Sequence, residues 1–204
     1  MVRTLLTATA IVLLSTSVPA QITQLCFPGT GGVINCPCPS QAPANPAGGC
    51  ANHGAGATTG AVLNASGTPS VSADMSSPTL FLATSNHRIP PTAGILNVFY
   101  SYKPGIAPTL GSVSGAGVRC IGNGGDLRRL YVTQVIGGTK TKPEGADLSI
   151  SARSSTWALH VIAPPETRYY FNVYRDPQAA APAACNNVSA TVNLTNMVSV
   201  LWGA

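Results

Sequence analysis

The chain is short of charge. Asp, Glu, Lys and Arg make up 8% of its 204 residues, about a third of the usual share for globular proteins. That scarcity excludes a coiled coil or a long solvated helix, both of which are rich in Glu, Lys and Arg. Aromatic residues are few as well, at 6%. No apolar run reaches the roughly 20 residues that a membrane-spanning helix needs. No apolar stripe at helical spacing persists beyond two turns, so little or no helix is expected. Disorder is excluded from the other side, because 45% hydrophobic residues with a net charge of +5 is the wrong composition for it.

Turn formers are abundant, with 21 Gly and 17 Pro. Between them lie short apolar or alternating runs: 61–66, 79–84, 95–102, 127–135, 147–152, 157–162, 169–174, 190–194 and 198–202. Gly permits positive φ and Pro fixes φ near −65°, so the segments separating these runs read as turns. Alternation places Trp157, Leu159 and Val161 on one face of a strand, and Val198, Val200 and Trp202 on one face of another. About 8–10 short strands at fairly regular spacing predict an all-β fold, an antiparallel β-sandwich.

The amino end has the three parts of a secretory leader: Arg3, the apolar stretch from Leu5 to Leu14, and the small residue Ala20 before Gln21. Cleavage after Ala20 leaves ten basic residues against six acidic ones. They are thinly spread, which argues against nucleic acid as a partner. The expected location is secreted or at the cell surface, with no transmembrane segment in the mature chain.

All six cysteines, Cys26, Cys36, Cys38, Cys50, Cys120 and Cys185, lie beyond the leader. An even count in an exported chain predicts disulfides. A Cys36–Cys38 bridge closes a strained small ring, so these two are expected to reach Cys26 and Cys50 in either order, leaving Cys120 to pair with Cys185. A zinc site using Cys26, Cys36, Cys38, Cys50 and His53 is the rival, but the spacing departs from zinc knuckles and export favours oxidation. No metal or other cofactor is expected. The segmentation is a leader at 1–20, a Cys/Pro/Gly-rich loop cap at 21–60 pinned by disulfides, and a β-sandwich domain at 61–204.

Catalytic patterns are scarce. The sequence has no Gly-x-Ser-x-Gly elbow and no His-Glu-x-x-His, and its six carboxylates are scattered. Glu144 and Asp147 read as solvated turn residues. His53, His87 and His160 have no Ser or Asp at a recognisable spacing, and His160 reads as a surface or edge residue of a strand. Gly122–Gly125 followed by Asp126, Arg128 and Arg129 is a candidate anion or acidic-glycan contact, since a Gly-rich turn points N–H groups outward. Trp157, Tyr169, Tyr170 and Tyr174 are a candidate sugar platform, although aromatic residues on strands more often fill cores. Asn-x-Ser/Thr sequons occur at Asn64, Asn187 and Asn193, which matter only where the export route glycosylates them.

Taken in order, Leu25-Cys26-Phe27, Cys36-Pro37-Cys38, Gly49-Cys50-Ala51-Asn52, Val118-Arg119-Cys120, Tyr174-Arg175-Asp176 and Asn193-Leu194-Thr195-Asn196 form a series. It resembles that of the Cys/Gly-rich secreted β-domain proteins of planctomycete-type bacteria, from Cys26 to Trp202. The resemblance implies export and a disulfide-bearing β domain, and implies no activity. Met197 stands where such proteins often have Gly after Asn-Leu-Thr-Asn. The function expected is a non-enzymatic structural or adhesive module at the cell surface or in the matrix, with envelope proteins or extracellular polysaccharide as partners. A glycan-binding module is the alternative, and a hydrolase of unrecognised type the third choice.

Overall fold

A computed structural model of the protein describes residues 21–37, 48–51, 60–87, 94–122, 124–176 and 192–204. The expectations for His53, Cys38, Cys185, Asn123 and Asn187 fall outside these residues. The described chain is built mainly of antiparallel strands, as the alternation predicts. Five form one sheet in the order β1 (Gln21–Leu25), β10 (Val192–Trp202), β9 (Glu166–Arg175), β4 (Ile95–Lys103) and β7 (Asp126–Val135). Three form a second sheet: β2 (Val62–Gly67), β3 (Leu80–Ser85) and β8 (Lys140–Lys142). A hairpin of β5 (Ser112–Ser114) and β6 (Gly117–Arg119) stands apart.

Both larger sheets contribute to one apolar core. Leu63, Leu80 and Leu82 from the three-stranded sheet meet Phe99, Tyr131, Tyr170, Val198, Val200 and Trp202 from the five-stranded one. Side chains alternate along a strand, so neighbours of these residues point the other way. Tyr102, Phe171, Leu194 and Met197 accordingly form a second core with Cys26, Cys50, Val118 and Cys120. The middle of the five-stranded sheet is therefore covered on both faces, and β10 is buried along nearly its whole length.

Two bridges close the second core, Cys26–Cys120 and Cys36–Cys50. The second is among the expected pairings. The first corrects the expectation, because Cys120 joins Cys26 rather than Cys185. The reason is β1: pairing with β10 carries Cys26 to the face of the sheet on which Cys120 lies.

Two expected strands are helical or irregular. Residues 147–152 were expected as a strand, but Ile150–Ser155 form helix α2, with the Ser149 hydroxyl accepting the Ala152 N–H at 3.2 Å as an N-cap. Residues 157–162 form a turn that continues from the end of α2, with the His160 N–H donating to the Trp157 carbonyl. Leu159 is 74% exposed, so the alternation there does not mark a strand. A second short helix, α1 (Val71–Ser76), is capped by Ser70. The runs at 190–194 and 198–202, expected as two strands, belong to one strand from Val192 onward, with a bulge between Leu194 and Met197.

Candidate functional site

A gathering of chemically versatile side chains lies at one end of the main core. Ser101 projects inward from β4, Asp126 and Arg128 come from the start of β7, and Glu166 and Arg168 come from β9. Ser101 sits opposite Arg128 on one side and Tyr170 on the other. The turn after α2 lays His160 over this end. His160 Nε2 is 2.8 Å from Ser101 Oγ, and Nδ1 is 2.9 Å from Asp126 Oδ2.

Carboxylates only accept, so Nδ1 carries the proton and Nε2 accepts from the Ser101 hydroxyl. This is the connectivity of a Ser–His–Asp relay. Sequence reasoning missed it because the three residues lie on β4, β7 and a turn, at no family spacing. The expectation that His160 is a surface or edge residue is corrected: it is fully buried, as is Ser101.

The electrostatics match a closed, neutral imidazole. Burial, helped by the charge of Arg168, pushes the His160 pKa down to about 4 despite the neighbouring Asp126. For Asp126, burial acts to raise the pKa, but hydrogen bonds from Arg128 and His160 hold it below the usual carboxylate range. Arg128 Nε lies 2.8 Å from Asp126 Oδ1. The Arg168 Nη2 donates to the carbonyls of His160 and Val161 and to Glu166, which also accepts the Ala163 N–H at 2.8 Å and meets Lys103 at 3.5 Å. The backbone of the turn is thus clamped as firmly as the imidazole. With Ser101 at 0% exposure, no substrate carbonyl can approach its Oγ in this conformation, as acyl transfer requires.

The other sequence candidates are dispersed. Arg128 is committed to Asp126. Arg129 is exposed on the opposite face of β7, with its Nε donating to the Tyr100 hydroxyl at 3.2 Å. Tyr170 and Tyr174 are buried and Tyr169 is half-buried against Tyr102, so the four aromatics form no common platform. Trp157 is half-buried, with Arg153 over its ring. Glu144 and Asp147 are not simply solvated: Lys142 contacts them at 3.0 and 2.8 Å, and Lys140 also pairs with Glu144. Among the described residues no group of three or more His, Cys, Asp or Glu is placed to hold a metal.

No helix among the described residues is long and apolar enough to cross a membrane. The two disulfides fit an extracellular location. No protein-family model, curated protein or solved structure matches the chain.

Proposed function

We propose that the chain is an exported, non-enzymatic structural or adhesive β module acting at the cell surface or in the extracellular matrix. The observation that carries this reading is the sealed Ser101–His160–Asp126 cluster, which spends its hydrogen bonds on fastening a turn to the sheet. Apolar surface adds support. Ile106, Leu110 and Val113 are each more than half exposed around the β5–β6 hairpin, the kind of surface that commonly meets another macromolecule. Deletion of the gene is expected to change cell attachment or envelope integrity, with recovery on complementation; unchanged attachment and envelope would count against the module. Labelling with a fluorophosphonate probe is a second check. An adduct on Ser101 would overturn the non-enzymatic reading.

Glycan binding is the second reading, favoured by one local arrangement. The Tyr100 ring stacks on Phe171 at 5.2 Å and an interplanar angle of 6°, and exposed Arg129 lies beside it. A stacked aromatic next to a cation suits an acidic sugar. Binding of acidic polysaccharide that is lost in Arg129→Ala would establish it, and blank arrays would remove it.

A further inference from the structure

We propose that His160 is an acid-released latch, holding the turn 156–163 over the end of the core while neutral and freeing it when protonated. The geometry supplies the mechanism. The neutral ring is fully matched, giving its Nδ1 proton to Asp126 and accepting the Ser101 proton at Nε2. Protonation places a second N–H at Nε2, facing Ser101 Oγ. The Ser101 proton must then leave that line and turn to the Tyr170 hydroxyl, its other side-chain partner, in a place with no access to water. The imidazolium charge, shut away from water and opposed by Arg168 and Arg128, disfavours the docked form.

The groups facing the ring come from three strands and the turn itself. Asp126 on β7 favours the imidazolium, whereas Arg128 on β7 and Arg168 on β9 oppose it. Glu166 on β9 is paired with Arg168 and with Lys103 of β4. Trp157, in the turn, meets the ring edge-on at 6.0 Å. Burial outweighs the single favourable carboxylate. The turn ring titrates near 6.5 when free and at about 4 when docked, so the open fraction rises up to about tenfold per pH unit across that window. The proton taken up on opening stays on the imidazole, and no other bond changes.

Hydrogen exchange from pH 7 to 3.5, corrected for the intrinsic rate, tests the latch alongside an NMR titration of His160 in the intact chain. Protection of residues 156–163 is expected to fall below pH 6.5 and to stay below that of β9 and β10 at every pH, with His160 titrating near pH 4. His160→Gln is expected to abolish that pH dependence. Asp126→Asn is expected to move the His160 midpoint to lower pH, because it removes the one group favouring the charged ring. The latch is overturned by pH-independent protection of the turn, by a turn that opens only together with β9 and β10 at the same free energy, or by a His160 midpoint near 6.5. An unchanged pH response in His160→Gln, or a midpoint that stays put or rises in Asp126→Asn, also overturns it.

Discussion

The side-chain amide of Asn196 forms with the main chain of Leu63 the same pair of bonds that one strand forms with the next. Its Oδ1 accepts the Leu63 N–H at 2.7 Å, and its Nδ2 donates to the Leu63 carbonyl at 3.0 Å. One fully buried side chain thereby stitches β10 to β2, across from one sheet to the other. The bulge between Leu194 and Met197 is what turns it toward β2.

Asn196→Ala leaves both Leu63 groups buried without partners, at about 1–3 kcal/mol for each unmet group. Urea unfolding should show a loss of about 2–5 kcal/mol. Asn196→Asp should be nearly as harmful, because a carboxylate cannot donate to the Leu63 carbonyl.

Asp74 makes a comparable junction between the two helices. Its Oδ1 accepts the N–H groups of Thr79 and Leu80, and its Oδ2 accepts the N–H and hydroxyl of Ser151. Asp74→Ala strands these donors in a buried site and should cost about 3–5 kcal/mol. Asp74→Asn, whose amide turns one donor toward others, should also destabilise the fold. Ser151→Ala should cost less than either, about 1–2 kcal/mol, since only one hydroxyl bond is lost. Thermal and urea unfolding of the three variants would rank them.

The two bridges constrain unfolded loops of very different length. Cys26 and Cys120 are separated by 94 positions, Cys36 and Cys50 by 14. In the chain-entropy view the long loop is worth roughly 4–5 kcal/mol and the short one about 3. Cys26→Ser/Cys120→Ser should therefore lower stability more than Cys36→Ser/Cys50→Ser. Peptide mapping without reductant should recover both linkages.

How much of this was legible in the sequence differs between elements. Strands β3, β4, β7 and β9 stood out because each carries a run of apolar or aromatic residues bounded by Gly, Pro or Asn. The sandwich-like alternation held for Val198, Val200 and Trp202. It misled at Trp157–Ile162, where period two arises in a turn and Leu159 faces solvent. Short β1 gave no signal, since its five residues alternate only weakly and its place depends on β10, far along the chain. The Ser101–His160–Asp126 cluster was invisible for the same reason. Its members meet only because β4 pairs with β7 and a turn folds back over both. Asn193 and Asn196 were visible as part of a motif, but their duties were not. Asn193 donates to the carbonyls of Cys50 and Ala51, which shows that the motif serves the junction between β10 and its covering segments. Asn193 is also fully buried, so the folded chain offers its sequon no access, whereas Asn64 is exposed.

Acid should weaken the fold as a whole, beyond the turn. His87 is buried against Asn97 and Tyr174, and burial lowers its pKa to about 4. Its folded value lies below the unfolded value of about 6.5, so its contribution is complete above pH 6.5 and is lost as pH falls toward 4. The full window corresponds to about 3 kcal/mol. Urea midpoints measured between pH 7.5 and 4 should decline, and His87→Gln should flatten part of that decline.

The close approach at Gly49 sets another limit. A Cβ there would sit 1.9 Å from the Leu194 carbonyl oxygen, which is backbone and cannot swing aside. Gly49→Ala should cost more than about 2 kcal/mol, within the range of overpacked cores, measurable as a lower melting temperature.

Gln21 pairs with Leu201, and β1 runs antiparallel against the last strand of the chain. A polypeptide delivered amino end first thus keeps β1 unpaired until β10, far along the chain, has arrived. Assembly of the larger sheet must wait for β10 to be handed over, which favours slow closure of a long loop over stepwise folding. The same adjacency lets a short linker join the start of β1 to the end of β10, so that the chain can be cut elsewhere without separating these two strands.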